Sequence, residues 1–135
     1  MRAVIDTNLW ISFLFGKEVA DLLTLVQSNK VEVVTDARQI VEIEDVLSRP
    51  KIKKLVGPQR LGTIRRFLHR KTKLITPKRR IKVCRDPDDD YLLEIAIEGK
   101  ATFLISGDDD LLELDPFRSV RIVSYRDFKS LLAAK

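Results

Sequence analysis

One cysteine, one histidine, one tryptophan and one methionine occur in 135 residues, and two of these scarcities remove whole classes of chemistry. Cys84 alone excludes a disulfide framework and a cysteine-rich zinc site. His69 alone excludes most histidine-rich metal sites, and a Ser-His-Asp triad would have to use it as the base. No apolar run approaches the roughly 20 residues that cross a bilayer. The opening AVI is far too short for the apolar core of a secretion signal. The expectation from these absences is a cytoplasmic protein with no membrane partner. One further absence is local: between Arg49 and Arg85 there is not a single Asp or Glu.

That acid-free stretch carries RPKIKK, RR, HRK and PKRR, and the chain as a whole has a formal net charge of +5. A basic run is often no more than a solvated face. Here acidic clusters flank it on both sides, which a polyanion held near a metal site explains better. The length suits one domain spanning 1–135, with enough chain for a substantial core. A composition 44% hydrophobic and 33% charged is ordinary for a globular protein.

Apolar strands alternate with helical patterns along the chain. RAVID, VEVVT, TFLIS and VRIVS read as buried strands, with an edge strand at Leu74–Ile75 or Lys82–Val83. LWISFLF reads as a short buried helix stopped at Gly16, opened by Thr7 or Asn8 as cap. Helices are expected over 18–29 (apolar at Val19, Leu22, Leu23 and Val26), over 37–47 behind an Asp36 cap, over 51–56 and 59–71, and over 87–98. A helical turn at Asp109–Leu112 and a last helix over 126–133 complete the series. Trp10 and the phenylalanines are expected in the core, and His69 at the surface. Strands alternating with helices and no repeats predict an α/β fold, with a mainly parallel sheet. In such sheets, ligands bind beyond the carboxyl ends of the strands. Asp6 and Asp108 both fall there.

CRDPDDDYL holds four aspartates in five positions. Asp86 is placed to cap a helix whose first residue is Pro87, and Asp88 sits in the first turn where the helix dipole favours an acid. Asp89 lies three, four and seven residues before Leu92, Leu93 and Ala96, so it continues the buried stripe. Asp90 and Glu94 are expected on the solvent side. In SGDDDLL, Gly107 would let the chain turn tightly before Asp108; Asp109 is expected in water. Asp110 suits either an added ligand or a cap, and Asn8 either orients Asp6 or caps. Asp6, Asp89 and Asp108 together offer only oxygen donors, which suit hard ions such as Mg²⁺ or Mn²⁺ and the hydrolysis of phosphodiesters.

VIDTN, TDARQIVEIEDVLSRPK, CRDPDDDYLLEIA and ATFLISGDDDLL, in this order over most of the chain, resemble the PIN-domain nucleases, and in particular their VapC-like toxin branch. The resemblance implies a three-layer α/β/α sandwich and an Mg²⁺- or Mn²⁺-dependent ribonuclease. It implies RNA as substrate, a homodimer, and an antitoxin protein that blocks the site. Carried over by position, its acidic quartet falls on Asp6, Glu42, Asp89 and Asp108, as metal-binding and catalytic residues. Family members usually have Ser or Thr where this chain has Asp36. Periodicity alone disagrees at one point: the apolar arc of Ala37, Ile40, Ile43 and Leu47 centres near Glu44 and leaves Glu42 nearly opposite. The alternative from another class is a non-catalytic PIN-like module that binds RNA or protein. A phosphatase of the haloacid dehalogenase type would need a second Asp where Asn8 stands, and a receiver-type domain would need an acidic pair at the first strand.

Overall fold

The computed structural model describes residues 1–16 and 18–134, with the side chains of Glu18 and Val19 outside that description. The contribution of Val19 to an apolar helix face therefore lies outside the described residues. Five strands, β1 (Arg2–Ile5), β2 (Glu32–Thr35), β3 (Thr72–Leu74), β4 (Phe103–Ile105) and β5 (Arg121–Val123), form one sheet in the order β3-β2-β1-β4-β5. Every pairing is parallel. The edge strand is thus Thr72–Leu74, earlier than expected, and Lys82–Val83 is no strand.

Helices occupy both faces: α1 (Thr7–Ser12), α2 (Glu18–Gln27), α3 (Ala37–Leu47), α4 (Pro50–Val56), α5 (Pro58–Arg70), α6 (Asp90–Glu98), α7 (Asp109–Leu112) and α8 (Tyr125–Ala133). The central runs of β1, β2, β4 and β5 are apolar on successive residues because both of their faces are covered, whereas the edge strand β3 is largely polar. Alternate residues serve different cores. Ala3, Ile5, Val33, Phe103, Ile105 and Val123 pack with Trp10, Phe13, Leu47, Phe67 and Phe128. Val4, Val34, Leu104 and Ile122 pack with Leu92, Leu93, Ala96 and Leu111. The result is the α/β fold with a parallel sheet expected from the alternation of elements, in the three-layer α/β/α form that the resemblance implied.

Of the aromatic residues expected inside, Phe15 departs from the pattern: it is 55% exposed, at the end of the 3-10 turn Phe13–Phe15 that follows α1. Between α4 and α5 the chain passes through Gly57 at φ 88°, a left-handed conformation that other residues adopt only with strain, and this joins two helices without a loop. No described helix is long and apolar enough to cross a membrane.

The strand order reverses direction at β1. From β1 the chain winds outward to β2 and β3, then returns to β4 on the other side of β1. The crevice beyond the carboxyl ends of β1 and β4 is the topological switch point, where parallel α/β sheets leave room for a ligand. Asp6 follows β1 directly, and Ser106 follows β4.

Candidate functional site: a carboxylate cluster at the switch point

Asp6 is buried, and its side chain, rather than that of Thr7 or Asn8, caps α1: Oδ1 accepts from the Asn8 N–H at 3.1 Å. Its backbone N–H donates to the Ile105 carbonyl at 2.9 Å, which ties the end of β1 to the end of β4. Its Oδ2 accepts from the buried Ser106 hydroxyl at 2.7 Å. Ser106 Oγ in turn accepts from the Asp108 N–H at 3.0 Å, so one hydroxyl joins both aspartates. Asp108 caps α7 by accepting from the Asp110 N–H at 2.9 Å. Gly107 has no left-handed φ, and a Cβ there would meet nothing within 4 Å. The turn into Asp108 is thus held by Ser106 and does not depend on a glycine.

Asp89 closes the 3-10 turn Pro87–Asp89, opened by Asp86, and stands just before α6 rather than within it. It is half-buried. Its carboxyl is pushed up from the ordinary 3.8 to about 6, by burial first, then by the charges of Asp108, Asp6 and Asp86. Burial is the larger cause, and the like charges of the neighbouring carboxylates act in the same direction.

The neighbouring acids correct the helical-wheel reading. Asp90 and Glu94 do not face water; they are 8% and 4% exposed. Asp90 Oδ1 accepts from the N–H groups of Val83 and Cys84 at 3.1 and 2.8 Å. Burial raises the Asp90 carboxyl, but those two N–H groups outweigh it and bring the net shift below the ordinary value. Glu94 accepts from the Ile81 N–H at 3.0 Å and from Arg38 at 2.8 Å. The two acids therefore moor the irregular strap that crosses from β3 to α6. The wheel treated that side of α6 as solvent, since nothing in its periodicity marks a strap. Burial and Asp90 together push the Cys84 thiol up to about 12, which makes it a poor nucleophile.

Glu42 and Glu44 have different surroundings. Glu44 is held by α5, with Arg65 Nε at 3.2 Å and His69 Nε2 at 2.8 Å. It lies at the centre of the apolar arc because α5 covers that side of α3 with cations. Glu42 is exposed and accepts the Tyr91 hydroxyl on Oε2 at 2.8 Å. Tyr91 also meets Thr7 Oγ1 at 2.5 Å, one residue after Asp6. Burial raises the Tyr91 hydroxyl well above its ordinary range, with Glu42 and Asp6 adding to the effect against Thr7.

Asp110 lies 3.8 Å from Arg85 across the mouth of the cluster, while Asn8, Asp88 and Asp109 are exposed. Ser106, Gln39 and Tyr91 were not singled out from the sequence, and Thr7 was read only as a candidate cap. Their signal was a polar residue placed beside an apolar strand or stripe, which is ambiguous until its partner is known.

The donor set suits a hard divalent cation, being all oxygen, and the raised Asp89 carboxyl marks an excess of negative charge that such a cation would offset. Among the described residues, no three His, Cys, Asp or Glu side chains converge closely enough to hold a metal ion.

Comparison with known proteins agrees with this architecture. A family model described as "PIN domain" matches residues 2–110. The uncharacterised protein MJ1680 of Methanocaldococcus jannaschii is 32% identical over 117 residues, covering 84% of this chain and 75% of that protein. The crystal structure of PAE2754 from Pyrobaculum aerophilum superposes with a TM-score of 0.63 at 13% identity, over 100% of this chain and 91% of that one. At that level of identity the shared feature is the fold.

Proposed function

Since the chain belongs to the PIN domain family, whose members are commonly nucleases, we propose that it is a metal-dependent endoribonuclease, the toxin of a toxin–antitoxin pair. The observation that carries the reading is the joining of Asp6 and Asp108 through Ser106 at the switch point, with Asp89 crowded against both.

Asp6, Asp89 and Asp108, with Glu42 at the edge, would hold Mg²⁺ or Mn²⁺. When bound, the ion supplies a water of lowered pKa and neutralises charge on the scissile phosphate. The residues of the chain have their own parts. Asp6 is fixed on both oxygens by Asn8 and Ser106, and Asp108 by its cap on α7, so both keep their orientation when RNA arrives. Lys51, Lys53 and Lys54 of α4, with Lys78, Arg79, Arg80 and Lys82 of the strap, are exposed and suited to follow an RNA backbone. The same reading extends to a homodimer in the cytoplasm and to an antitoxin that covers the carboxylates.

The test is cleavage of RNA by purified protein with Mn²⁺, and growth inhibition on expression. Both are expected to disappear in Asp6→Asn. The reading fails if the unaltered protein with Mn²⁺ leaves RNA intact and Asp6→Asn inhibits growth as strongly as the parent.

One observation favours a second reading, a PIN-like module that binds RNA or protein without cleaving it: among the described residues, no group of three or more His, Cys, Asp or Glu is placed so as to hold a metal ion. Titration with Mn²⁺ separates the two, because saturable binding lost in Asp6→Asn belongs to the nuclease alone.

A further inference from the structure

Beneath the exposed Glu42 runs a continuous line of hydrogen bonds whose direction is fixed by what each group can donate. Thr35 Oγ1 donates to Gln39 Oε1 at 2.6 Å, so the other end of that amide is its NH₂ group. That NH₂ donates to the Ile5 carbonyl at 2.6 Å and to Thr7 Oγ1 at 3.3 Å. Tyr91 has one hydroxyl proton, and it goes to Glu42 Oε2 at 2.8 Å. The 2.5 Å contact between Thr7 and Tyr91 is then left with Thr7 as donor. Every proton in the line points toward Glu42, from Gln39 through Thr7 and Tyr91. Hydrogen bonds aligned in this way polarise one another.

Thr35 and Gln39 are fully buried and Thr7 nearly so. The line starts at the Thr35 hydroxyl, and the Gln39 amide is anchored by donating to the last carbonyl of β1, the one that precedes Asp6. The Tyr91 ring is held as well: the Arg38 guanidinium lies 5.2 Å from its centroid and is itself paired with Asp36 and Glu94. Glu42 has no comparable support of its own. It projects from the outward side of α3, where a solvated glutamate would explore several rotamers. Tyr91 comes from α6, two residues after Asp89.

We propose that Tyr91 is a positioning residue for Glu42, which aims that carboxylate at the Asp6–Asp89–Asp108 cluster, with Thr7 and Gln39 as its fixed support. The inference rests on the nuclease reading above. It explains how a glutamate on the wrong side of its helix for core packing becomes part of a site: the aim is given by a neighbouring helix rather than by its own. Glu42 Oε2 is taken by the tyrosine, which comes from the helix that follows Asp89 and meets Thr7, the neighbour of Asp6.

The experiment measures Mn²⁺ dissociation constants and RNA cleavage for the parent, Tyr91→Phe, Glu42→Gln and the double variant. Tyr91→Phe keeps the ring and its place over Arg38. It is expected to weaken Mn²⁺ binding about tenfold, the lower end of the usual loss when a ligand's supporting partner is removed. The double variant is expected to match Glu42→Gln alone, because the tyrosine acts only through that carboxylate. Thr7→Val, which breaks the line one step earlier, should give a smaller loss in the same sense. The inference is overturned if Tyr91→Phe lowers the unfolding temperature but leaves Mn²⁺ affinity and kcat within twofold of the parent, or if its losses add in full to those of Glu42→Gln. A parent that neither binds Mn²⁺ nor cleaves RNA overturns the nuclease reading instead. The coupling is then read from thermal unfolding of the metal-free variants, where additive effects overturn the link between the two residues.

Discussion

The hydroxyl of Ser106 lies 2.7 Å from Oδ2 of Asp6 across a sequence separation of 100 residues, and together with the Asp6 N–H to Ile105 carbonyl bond it ties the end of β4 to the end of β1. The same oxygen takes the N–H of Asp108. Asp6 and Asp108 are therefore set relative to each other by one small side chain on a parallel sheet.

Ser106→Ala should loosen both aspartates at once. Removing the hydroxyl leaves buried Asp6 Oδ2 without its donor and the Asp108 N–H without its acceptor, a loss of about 1–3 kcal/mol. Chemical denaturation should show it as a lower midpoint with an unchanged slope. RNA cleavage should fall with it, since the cluster loses its spacing.

Asp89→Asn should separate stability from activity. At neutral pH the Asp89 carboxylate is repelled by Asp108 and Asp6, and the neutral amide removes that repulsion. The metal-free protein is expected to gain on the order of 1 kcal/mol, after allowance for solvent screening of a half-exposed group. Cleavage should be lost. Differential scanning calorimetry without metal, beside an RNA assay with Mn²⁺, checks both; a less stable variant would contradict the crowding.

Glu42→Gln and Glu44→Gln should behave oppositely. Glu42→Gln is expected to lower cleavage at least about a hundredfold, as loss of a group acting on the reacting atoms does. Glu44→Gln gives up partly exposed pairs with Arg65 and His69, worth about 0–1 kcal/mol, and should retain most activity. Full cleavage by Glu42→Gln would remove that residue from the site.

Asp115 provides a pH signature away from the carboxylate cluster. Arg121 lies 2.9 Å away and holds the Asp115 carboxyl below its ordinary 3.8, and the Ile122 N–H helps against a smaller effect of burial. A carboxyl lowered in the folded state stabilises above its unfolded value and loses that contribution as pH falls through its folded value. The stability gap between the parent and Asp115→Asn should be full at neutral pH and close progressively below about pH 4, where the unfolded-state aspartate begins to protonate. Unfolding curves from pH 7 to pH 2 measure it; a gap unchanged across that range would contradict the assignment.

The parallel sheet was legible in the sequence because the short apolar runs RAVI, EVVT, FLI and RIV alternate with helical patterns, which is how strands covered on both faces are connected. Asp6 and Asp108 could be placed on the rim for the same reason: each follows such a strand. Caps at Asp36 and Asp86 were equally local, one side chain serving an N–H two or three residues on. The cap of α8 was not read from the sequence: Ser124 serves the Asp127 N–H and starts the helix one residue earlier than expected. The edge strand was harder to find, since TKL is neither apolar nor alternating and becomes a strand only by pairing with β2.

The acids show where local reasoning stops. On a wheel, Asp90 and Glu94 lie away from the sheet and read as solvated. The strap carrying Ile81, Val83 and Cys84 comes back over them, and its N–H groups need acceptors once they are buried. Likewise Glu44 sat at the centre of an apolar arc, and the helix that covers it proved to be cationic.

By itself, the sequence determined the layers, the strands and the rim on which Asp6 and Asp108 stand, because burial of alternate residues is a local property of the chain. Only the tertiary structure decided which polar groups meet: Ser106 with Asp6, Tyr91 with Glu42, and the strap with Asp90. Those pairings join residues far apart in sequence, and a hydrogen bond depends on distance and direction in space, which no local pattern of residues encodes.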